Sequence, residues 1–352
     1  MSERIKILLI RLSAIGDVVN VLPAAHLIRQ AFPNAHITFA VEKSASSLLY
    51  GLPELDDIFV IDRRTWARRI INPVFAPLVL LQILHSFIML RKKRFDLCFD
   101  FQGNFRSGVI CFASGSKVRI GFTPRNLREF TSCFYTRSVR LPRIKLTRAK
   151  KNLLLVQDVI NIPVYKKEQL LHFSEAEKAN IDKFFISQKL TDKKVVIVHP
   201  GSSKFGSFKK WSEDGYAKVC SELRLQNIIP LLSYGPGEKD IVQRINKLSG
   251  SSCSLAPELN NLKELAYLIS KCSLFIGADT GPMHIAAIVG TPIVAIFGPK
   301  DPDVYKPYCS NYLIVRKDLP CSPCERRKCS HLSCLKSIAP ENVLSAVKKL
   351  FP

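Results

Sequence analysis

Residues 273–302, SLFIGADTGPMHIAAIVGTPIVAIFGPKDP, contain the clearest structural pattern of the chain. The runs SLFIGA and TPIVAIFG have the composition of short buried strands, and MHIAAIVG between them has the apolar spacing of a helix. Pro282 suits the first helical position, where no N–H group is needed, and Gly290 suits the helix end. The stretch therefore predicts strand–turn–helix–strand, with Asp-Thr-Gly (279–281) where free helix N–H groups attract a phosphate.

The same alternation of strand, turn and helix recurs twice along the chain. It predicts parallel sheets covered by helices, with ligands beyond the carboxyl ends of the strands. We therefore expect an α/β protein with two Rossmann-like domains facing a central cleft. The predicted strands of the first series are 6–12, 36–42, 57–63 and 95–103, with a helix over 18–32, and those of the second series begin with 194–201 and 228–235.

Positive charge is concentrated in one quarter of the chain. The net charge of the 352 residues is +23, and residues 60–151 hold 20 Lys or Arg against 4 Asp or Glu, a net +16. Such a concentration indicates an anionic partner, which can be nucleic acid, a membrane surface or an acidic substrate. The basic region has neither interleaved stacking aromatics nor a nucleic-acid motif, so we expect no nucleic-acid partner.

Two features bear on location. The N-terminal MSERIKILLIRLSAIGD does not have the pattern of a signal peptide, which favours the cytoplasm and reduced cysteines. The apolar stretch 70–90 approaches the length of a membrane span but is flanked by basic clusters on both sides. This pattern suits a segment lying on an anionic leaflet better than one crossing it, and a buried core helix remains the alternative.

Four candidate features have both a structural and a chemical interpretation. Asp17, at the first strand–helix turn, is either a helix cap or an ionised base, and His284 is either a structural side chain or a ligand contact. The loop GSSKFGSFKKW (201–211) lacks the Lys-Ser/Thr pair of a P-loop but follows a strand and is rich in N–H donors, so it favours anion contact. The sequence C-x2-C-x4-C-x4-C is either a metal site or a set of packed thiols. Its members are Cys321, Cys324, Cys329 and Cys334.

These blocks together resemble glycosyltransferase family 9, which contains the ADP-heptose:lipopolysaccharide heptosyltransferases. The resemblance covers nearly the whole chain and is carried by LLIRLSAIGDVVNVLPAAHLIRQAFPNAHITFAVE, FDLCFDFQGNFRSG, HPGSS…KKW and DTGPMHIAAIVGTPIVAIFGPKDP. The first block, the Arg-Arg region near residue 63 and GFTPRNLREF (121–130) are more similar to heptosyltransferase I than to heptosyltransferase II. The cysteine cluster occurs in other branches of the family.

The resemblance implies a GT-B fold with a defined domain organisation. Residues 1–165 would form the acceptor-binding domain and residues 166–335 the nucleotide-sugar-binding domain. Residues 336–352 would form a C-terminal helix that packs back toward the first domain.

Roles for single residues also follow from the resemblance. Asp17, in the S-x-x-G-D motif, resembles the catalytic base, and Lys209 resembles a lysine that meets the donor phosphates and is the second catalytic candidate. The donor-binding candidates are Ser202, Lys209, Glu238, Asp279, Thr280, Gly281 and His284. The acceptor-binding candidates are Ser13, Gly16, Arg63, Arg64 and Arg128.

The expected activity is an inverting transfer of heptose from ADP-heptose to the Kdo/inner-core region of lipopolysaccharide, with Asp17 as general base and without a required cofactor. The expected location is the cytoplasmic face of the inner membrane, as a peripheral protein. Two alternatives remain: another family 9 transferase, similar to heptosyltransferase II or acting on a later core sugar, and a non-catalytic basic protein that binds nucleic acid or a membrane surface.

Overall fold

A computed structural model describes residues 4–123, 132–163, 170–202 and 204–351. The chain divides into two compact units, Met1–Lys167 and Glu168–Pro352. The boundary predicted between residues 165 and 166 lies outside the described residues.

The first unit contains a six-stranded sheet in which every strand pair is parallel. Its strands are β1 (Lys6–Ile10), β2 (His36–Glu42), β3 (Asp57–Ile61), β4 (Leu97–Asp100), β5 (Val118–Phe122) and β6 (Arg137–Val139). Its helices are α1 (Ile15–Val19), α2 (Leu22–Ala31), α3 (Lys43–Ser46), α4 (Arg63–Arg69), α5 (Ala76–Lys92), α6 (Phe105–Ala113) and α7 (Arg148–Gln157). A 3-10 turn covers Ser132–Phe134.

The strand order of this sheet is β3-β2-β1-β4-β5-β6. Ile7 in β1 lies in register with Ile37 of β2 and with Leu97 of β4. The strand KILLI is almost continuously apolar because helices cover both faces of a parallel sheet. The order reverses direction between β1 and β4, and ligands of such sheets bind at the carboxyl ends of the strands that flank this reversal.

The second unit repeats the arrangement with the order β12-β11-β10-β7-β8-β9, so its reversal lies between β7 and β10. Its strands are β7 (Val195–His199), β8 (Ile229–Leu232), β9 (Ser254–Leu255), β10 (Leu274–Ala278), β11 (Ile293–Ile296) and β12 (Tyr312–Val315). Its helices are α8 (Glu175–Ser187), α9 (Glu213–Leu225), α10 (Lys239–Leu248), α11 (Leu262–Ser270), α12 (Gly281–Val289), α13 (Pro302–Tyr305), α14 (Ser333–Lys336) and α15 (Pro340–Leu350). A 3-10 helix covers Lys204–Lys209.

The strand–turn–helix–strand predicted for residues 273–302 is confirmed as β10, α12 and β11. Pro282 is the second residue of α12 rather than the first. Gly290 ends the helix with φ of +83°, a left-handed conformation that glycine adopts without the steric cost of a Cβ atom.

The helix expected over residues 18–32 is instead two helices, α1 and α2, and the prediction was wrong at this point. The break falls at Asn20, whose side chain donates to the carbonyl of Gly16 and whose own carbonyl accepts from Asn152 of α7. Pro23 then occupies the second position of α2, where its missing N–H group carries no cost.

The C-terminal helix α15 packs within the second unit against β11, β12 and α9. Val343, Ala346 and Val347 form its buried side and belong to the apolar core of that unit. The indole N–H of Trp211 donates to the carbonyl of Ile338 just before α15, at 3.1 Å. That this helix also reaches the first domain stays a prediction.

The apolar stretch 70–90 forms a turn and most of α5, and much of it lies at the surface. Leu81 is 63% exposed and Leu84 is 55% exposed, so the alternative of a buried core helix is wrong. Nowhere in the part of the chain that the structure describes is a helix both long and apolar enough to span a bilayer.

Candidate active site

In the first unit, Asp17 lies just beyond β1, on the first turn of α1. Its two carboxylate oxygens are each held by a guanidinium group: Arg11 Nη2 is 2.7 Å from Oδ2, and Arg148 Nη1 is 2.7 Å from Oδ1. Oδ2 also accepts from the backbone N–H of Ala14 at 3.4 Å. The carboxylate is 22% exposed, so it combines a fixed orientation with access to solvent.

The loop that carries Asp17 is positioned by the turn after β4. The side-chain oxygen of Gln102 accepts from the backbone N–H groups of Leu12 at 2.8 Å and of Ser13 at 3.4 Å. These bonds join the two strand ends at the point where the strand order reverses. The β1 loop is therefore held by its neighbour rather than by its own residues alone.

The side chain of Asp100, the last residue of β4, stabilises this turn by accepting hydrogen bonds. Its Oδ1 accepts from the N–H groups of Gln102 and Gly103, and its Oδ2 accepts from the hydroxyls of Ser107 and Tyr135. Burial raises the pKa of Asp100, although the hydrogen bonds from Ser107 and Tyr135 oppose that shift. The four donors make Asp100 a structural centre of the turn.

The acceptor candidates are only partly placed by the structure. Ser13 and Gly16 lie in the loop and first turn that carry Asp17, and both are half-buried. Arg63 begins α4, and its Nε donates to the buried Glu42 at 2.6 Å. Arg64 lies on the same helix, and Arg128 lies outside the described residues.

In the second unit, Lys209 lies at the end of the 3-10 helix that follows β7, Asp279 directly follows β10, and their side chains form an ion pair. Lys209 Nζ donates to the carboxylate Oδ2 of Asp279 at 2.9 Å and to its backbone carbonyl at 2.7 Å. On the other side of the carboxylate, His284 Nε2 lies 3.6 Å from Oδ1. Three of the donor candidates are thus in one cluster at the start of α12.

Three effects determine the pKa of Asp279: its burial, the hydrogen bond from His284 and the charge of Lys209. Burial alone would raise the pKa of Asp279, but the hydrogen bond from His284 and the charge of Lys209 outweigh it, and the pKa is lowered. Asp279 is therefore ionised at neutral pH. Lys209, with 21% of its side chain exposed, supplies a cation at the mouth of the cluster.

The N-terminus of α12 presents its backbone N–H groups beside this cation. Thr280 is the N-cap residue, and its hydroxyl donates to the carbonyl of Ala278 rather than capping the helix. Gly281 is the first helical residue. A helix of nine residues with a positive N-terminal dipole and a neighbouring ammonium group suits an anionic ligand.

Ser202 and Glu238 complete the donor candidates. Ser202 is 7% exposed, and its hydroxyl oxygen has no hydrogen-bond partner among the described residues. Since buried hydroxyls normally have a partner, this atom suits a contact with a ligand. Glu238 Oε2 accepts from the N–H of Gly235 at 2.9 Å, and a Cβ atom on Gly201 would lie 2.0 Å from it. Glycine at 201 therefore lets this carboxylate lie against the β7 loop.

The cysteine cluster does not form a metal site in the structure. Cys321 and Cys324 are exposed, Cys329 is half-buried and Cys334 is buried, all as free thiols. Burial, together with the three neighbouring thiols, raises the pKa of Cys334. Throughout the described ranges, no group of three or more His, Cys, Asp or Glu side chains is arranged to hold a metal ion.

Several residues that build these sites were not predicted from the sequence, among them Gln102, Arg11, Arg148 and His199. The position of Gln102 at a predicted strand end, in the run FDFQG, could have indicated its role. Arg11 follows a strand and Arg148 lies on a helix 131 residues after Asp17, so no local pattern predicts that both contact this carboxylate. His199, the last residue of β7, is buried and bonds to the Ser233 hydroxyl at 3.0 Å. Burial lowers its pKa to about 4, so the imidazole is neutral at neutral pH.

Comparison with known proteins supplies the context for this geometry. The chain matches glycosyltransferase family 9 (heptosyltransferase) over residues 84–334. A lipopolysaccharide core heptosyltransferase of Haemophilus influenzae, OpsX, is 27% identical over 302 residues, which cover 85% of this chain and 81% of that protein.

Two solved structures resemble the whole chain. A glycosyl transferase of family 9 from Veillonella parvula superposes with a TM-score of 0.85 at 22% identity, covering 99% of this chain and 98% of that one. The E. coli heptosyltransferase WaaC, solved with ADP-2-deoxy-2-fluoro heptose, gives a TM-score of 0.76 at 18% identity, covering 98% of this chain and 99% of that one. These similarities confirm the predicted GT-B fold.

Proposed function

Because this chain belongs to glycosyltransferase family 9 (heptosyltransferase), we propose that it transfers heptose from ADP-heptose to the Kdo/inner-core region of lipopolysaccharide, with inversion at the anomeric carbon. The observation that carries the proposal is the Lys209–Asp279 pair at the start of α12. This pair places a cation beside the backbone N–H groups at the helix N-terminus, and both kinds of group bind a diphosphate. The ADP-sugar analogue bound to the related WaaC supports the choice of donor.

On the donor side, Lys209 and the N-terminus of α12 contact the diphosphate of ADP-heptose, and Ser202 adds a hydroxyl. Glu238 accepts hydrogen bonds from the nucleoside. As the bond between the anomeric carbon and the phosphate oxygen breaks, ADP leaves with the bonding electrons and gains negative charge. Preorganised donors aimed at such charge are worth about 10²–10³ in rate each.

On the acceptor side, Asp17 acts as the general base. An acceptor hydroxyl attacks the anomeric carbon from the face opposite to ADP and gives its proton to the carboxylate as the new C–O bond forms. The carboxylate of Asp17 is 22% exposed, so an acceptor hydroxyl can approach its oxygen lone pairs from solvent beside the two arginines. Arg11 and Arg148 fix the direction in which those lone pairs point.

The acceptor is an anionic, lipid-linked saccharide, which accounts for the positive charge of the first unit. Guanidinium groups bind carboxylates and phosphates with two parallel hydrogen bonds, so Arg63, Arg64 and Arg128 are the acceptor contacts that we propose. Reaction with such an acceptor takes place at the cytoplasmic face of the inner membrane. The relative OpsX, named as a lipopolysaccharide core enzyme, supports this acceptor class.

The test is acceptor-dependent release of ADP from ADP-heptose with Kdo₂-lipid A, comparing the wild type with Asp17→Asn. We expect turnover of the variant to fall by about 10²–10⁴ because proton transfer is lost, with unchanged affinity for ADP by calorimetry. Asp158→Asn is the matched control, since Asp158 also pairs with an arginine in the first unit but is 45% exposed.

Each other result has a distinct meaning. Unchanged turnover of Asp17→Asn would reduce Asp17 to a helix cap held by two arginines. No release with Kdo₂-lipid A, but release with an acceptor that already carries heptose, would assign the chain to another family 9 activity. No release with either acceptor despite ADP binding would overturn the proposed acceptor class.

A further inference from the structure

The stretch from Ile70 to Met89 exposes a set of large apolar side chains that an ordinary surface helix would not show. Its exposed fractions range from 40% at Ile70 to 82% at Ile71. We call its most regular part the apolar face. It consists of Ile71, Val74, Leu78, Leu81, Leu84 and Ile88.

On α5 the apolar face follows helical spacing. Leu78, Leu81, Leu84 and Ile88 are three or four residues apart, so they lie along one side of the helix. A helix at the edge of a soluble domain normally carries polar side chains on this side. Contiguous exposed apolar surface of this kind marks an interaction site.

The opposite side of α5 is anchored in the first unit. Val79 and Leu90 are buried, and Phe87 packs against the same apolar cluster as Trp66 of α4. The apolar face therefore belongs to a helix held by its own core contacts. Its exposure is a property of the folded unit.

The basic residues on both sides of the apolar face indicate the chemical class of its partner. Residues 63–94 contain eight Lys or Arg and no Asp or Glu. Arg68 and Arg69 precede the apolar face, Arg91 and Lys92 follow it, and all four are exposed. Lys93 is paired with Asp57 and is already used within the fold. The apolar face thus has exposed positive charge at both ends.

We propose that the apolar face inserts into the surface of an anionic phospholipid membrane, with α5 parallel to the plane of the bilayer. A helix of 17 residues is about 25 Å long, shorter than the roughly 30 Å hydrocarbon core. The parallel orientation places both basic ends in the same layer of lipid headgroups while the apolar side chains enter the acyl region. This inference goes beyond the transfer reaction and does not depend on its acceptor.

A second copy of this chain fits the same surface poorly. Two apolar faces in contact would bring the exposed arginines and lysines of both copies together without acidic residues between them. Like charges in that arrangement oppose association. An anionic bilayer provides acyl chains for the apolar side chains and negatively charged headgroups for the basic ones.

The experiment is sedimentation of the purified full chain with vesicles of phosphatidylcholine, with and without phosphatidylglycerol. The test variant is Leu81→Gln/Leu84→Gln/Ile88→Gln, which changes exposed side chains. The matched control is Ile186→Gln/Leu225→Gln/Leu248→Gln, which removes three apolar side chains of the second unit that are at least as exposed. Circular dichroism checks that both variants are folded.

We expect the wild type and the control to bind anionic vesicles and to bind neutral ones much more weakly. Burial of one Leu or Ile corresponds to about tenfold in affinity, so the test variant, which loses three such side chains, should bind about a thousandfold more weakly. Neutralising Arg68, Arg69, Arg91 and Lys92 with Gln should lower affinity about fivefold per residue and reduce its dependence on salt.

Two results would overturn the proposal. One is equal vesicle binding by the test variant and the wild type. The other is a dimer in solution that the test variant converts to monomer, which would assign the apolar face to a second copy. Vesicle binding requires no donor or acceptor, and ADP binding by the test variant should be unchanged, so failure here is distinguishable from failure of the transferase assignment.

Discussion

Replacing Lys209 by Met should destabilise the second unit by about 3 kcal/mol, because a buried carboxylate would lose its cation. Lys209 Nζ lies 2.9 Å from Oδ2 of Asp279, whose side chain is only 5% exposed. Removing one partner of a buried pair costs about 3–5 kcal/mol. The lower value applies because Lys209 is 21% exposed and His284, at 3.6 Å from the other oxygen, remains as a weaker partner.

The pH dependence of this effect follows from the same contacts. The pKa of Asp279 lies below its ordinary value of 3.8, because His284 and Lys209 outweigh the opposing effect of burial. A carboxyl group with a lowered pKa stabilises the fold above its unfolded-state pKa and loses that contribution as the pH falls through the folded-state value. The difference between wild type and Lys209→Met should be complete at neutral pH and shrink as the pH falls, first through the higher pKa that Asp279 has in the variant and then through its lowered pKa in the wild type.

The assay is guanidinium unfolding followed by the fluorescence of Trp211, which is 4% exposed and lies two residues from Lys209. All variants carry Trp66→Phe, because Trp66 is the other tryptophan of the chain and lies in the first unit. Lys210→Met is the matched control and should change the free energy of unfolding by less than about 0.5 kcal/mol. Lys209→Met/Asp279→Asn should be more stable than the sum of the single changes by at least about 1 kcal/mol, since no unpaired charge remains.

The proposed catalytic role of Lys209 is measured separately with the same variants. Lys209→Met should lower ADP release by about 10²–10³, and Lys209→Arg should retain much more of it because the positive charge is kept. A free energy of unfolding for Lys209→Met equal to that of Lys210→Met would refute the energetic reasoning. Normal turnover of Lys209→Met would refute the contact with the donor phosphates.

Two further predictions concern the neighbouring strand ends. His199 is neutral in the fold until its pKa of about 4, whereas the unfolded chain takes up the proton near 6.5. The free energy of unfolding should therefore decrease as the pH falls from 6.5 to about 4. In urea titrations, the difference in this free energy between wild type and His199→Asn should change by about 3 kcal/mol from neutral pH to pH 4. A difference that does not depend on pH would contradict a buried neutral imidazole. Gly201→Ala places a Cβ atom 2.0 Å from Oε2 of Glu238 and should displace it from Gly235, weakening ADP binding by about tenfold in calorimetry. Gly250→Ala, with the same open space around the added atom and a similar φ of +67° but beyond the opposite end of α10 from Glu238, is the control, and equal ADP affinity of the two variants would argue against a nucleoside contact by Glu238.

Local patterns in the sequence were sufficient to predict much of the fold and to select the donor candidates. Apolar runs that end in Asp-Thr-Gly or His-Pro-Gly predicted strands with turns at their carboxyl ends, because in a parallel sheet those turns share one edge. The donor candidates Lys209, Asp279 and His284 were predicted as separate residues, and the structure brings them into one cluster. The helix over 18–32 was wrong because its break depends on a contact with Asn152, far along the chain.

Periodicity and residues close together in the chain were enough to predict the α/β architecture, the family and the strand ends that carry the donor candidates. The ion pairs of Arg11 and Arg148 with Asp17, the positioning of its loop by Gln102 and the exposed apolar face of α5 became visible only in the folded chain. Ion pairs and exposure could not be predicted from the sequence, because they depend on which surfaces meet after the chain has folded. An apolar helix has the same sequence pattern whether its second side meets protein, lipid or water.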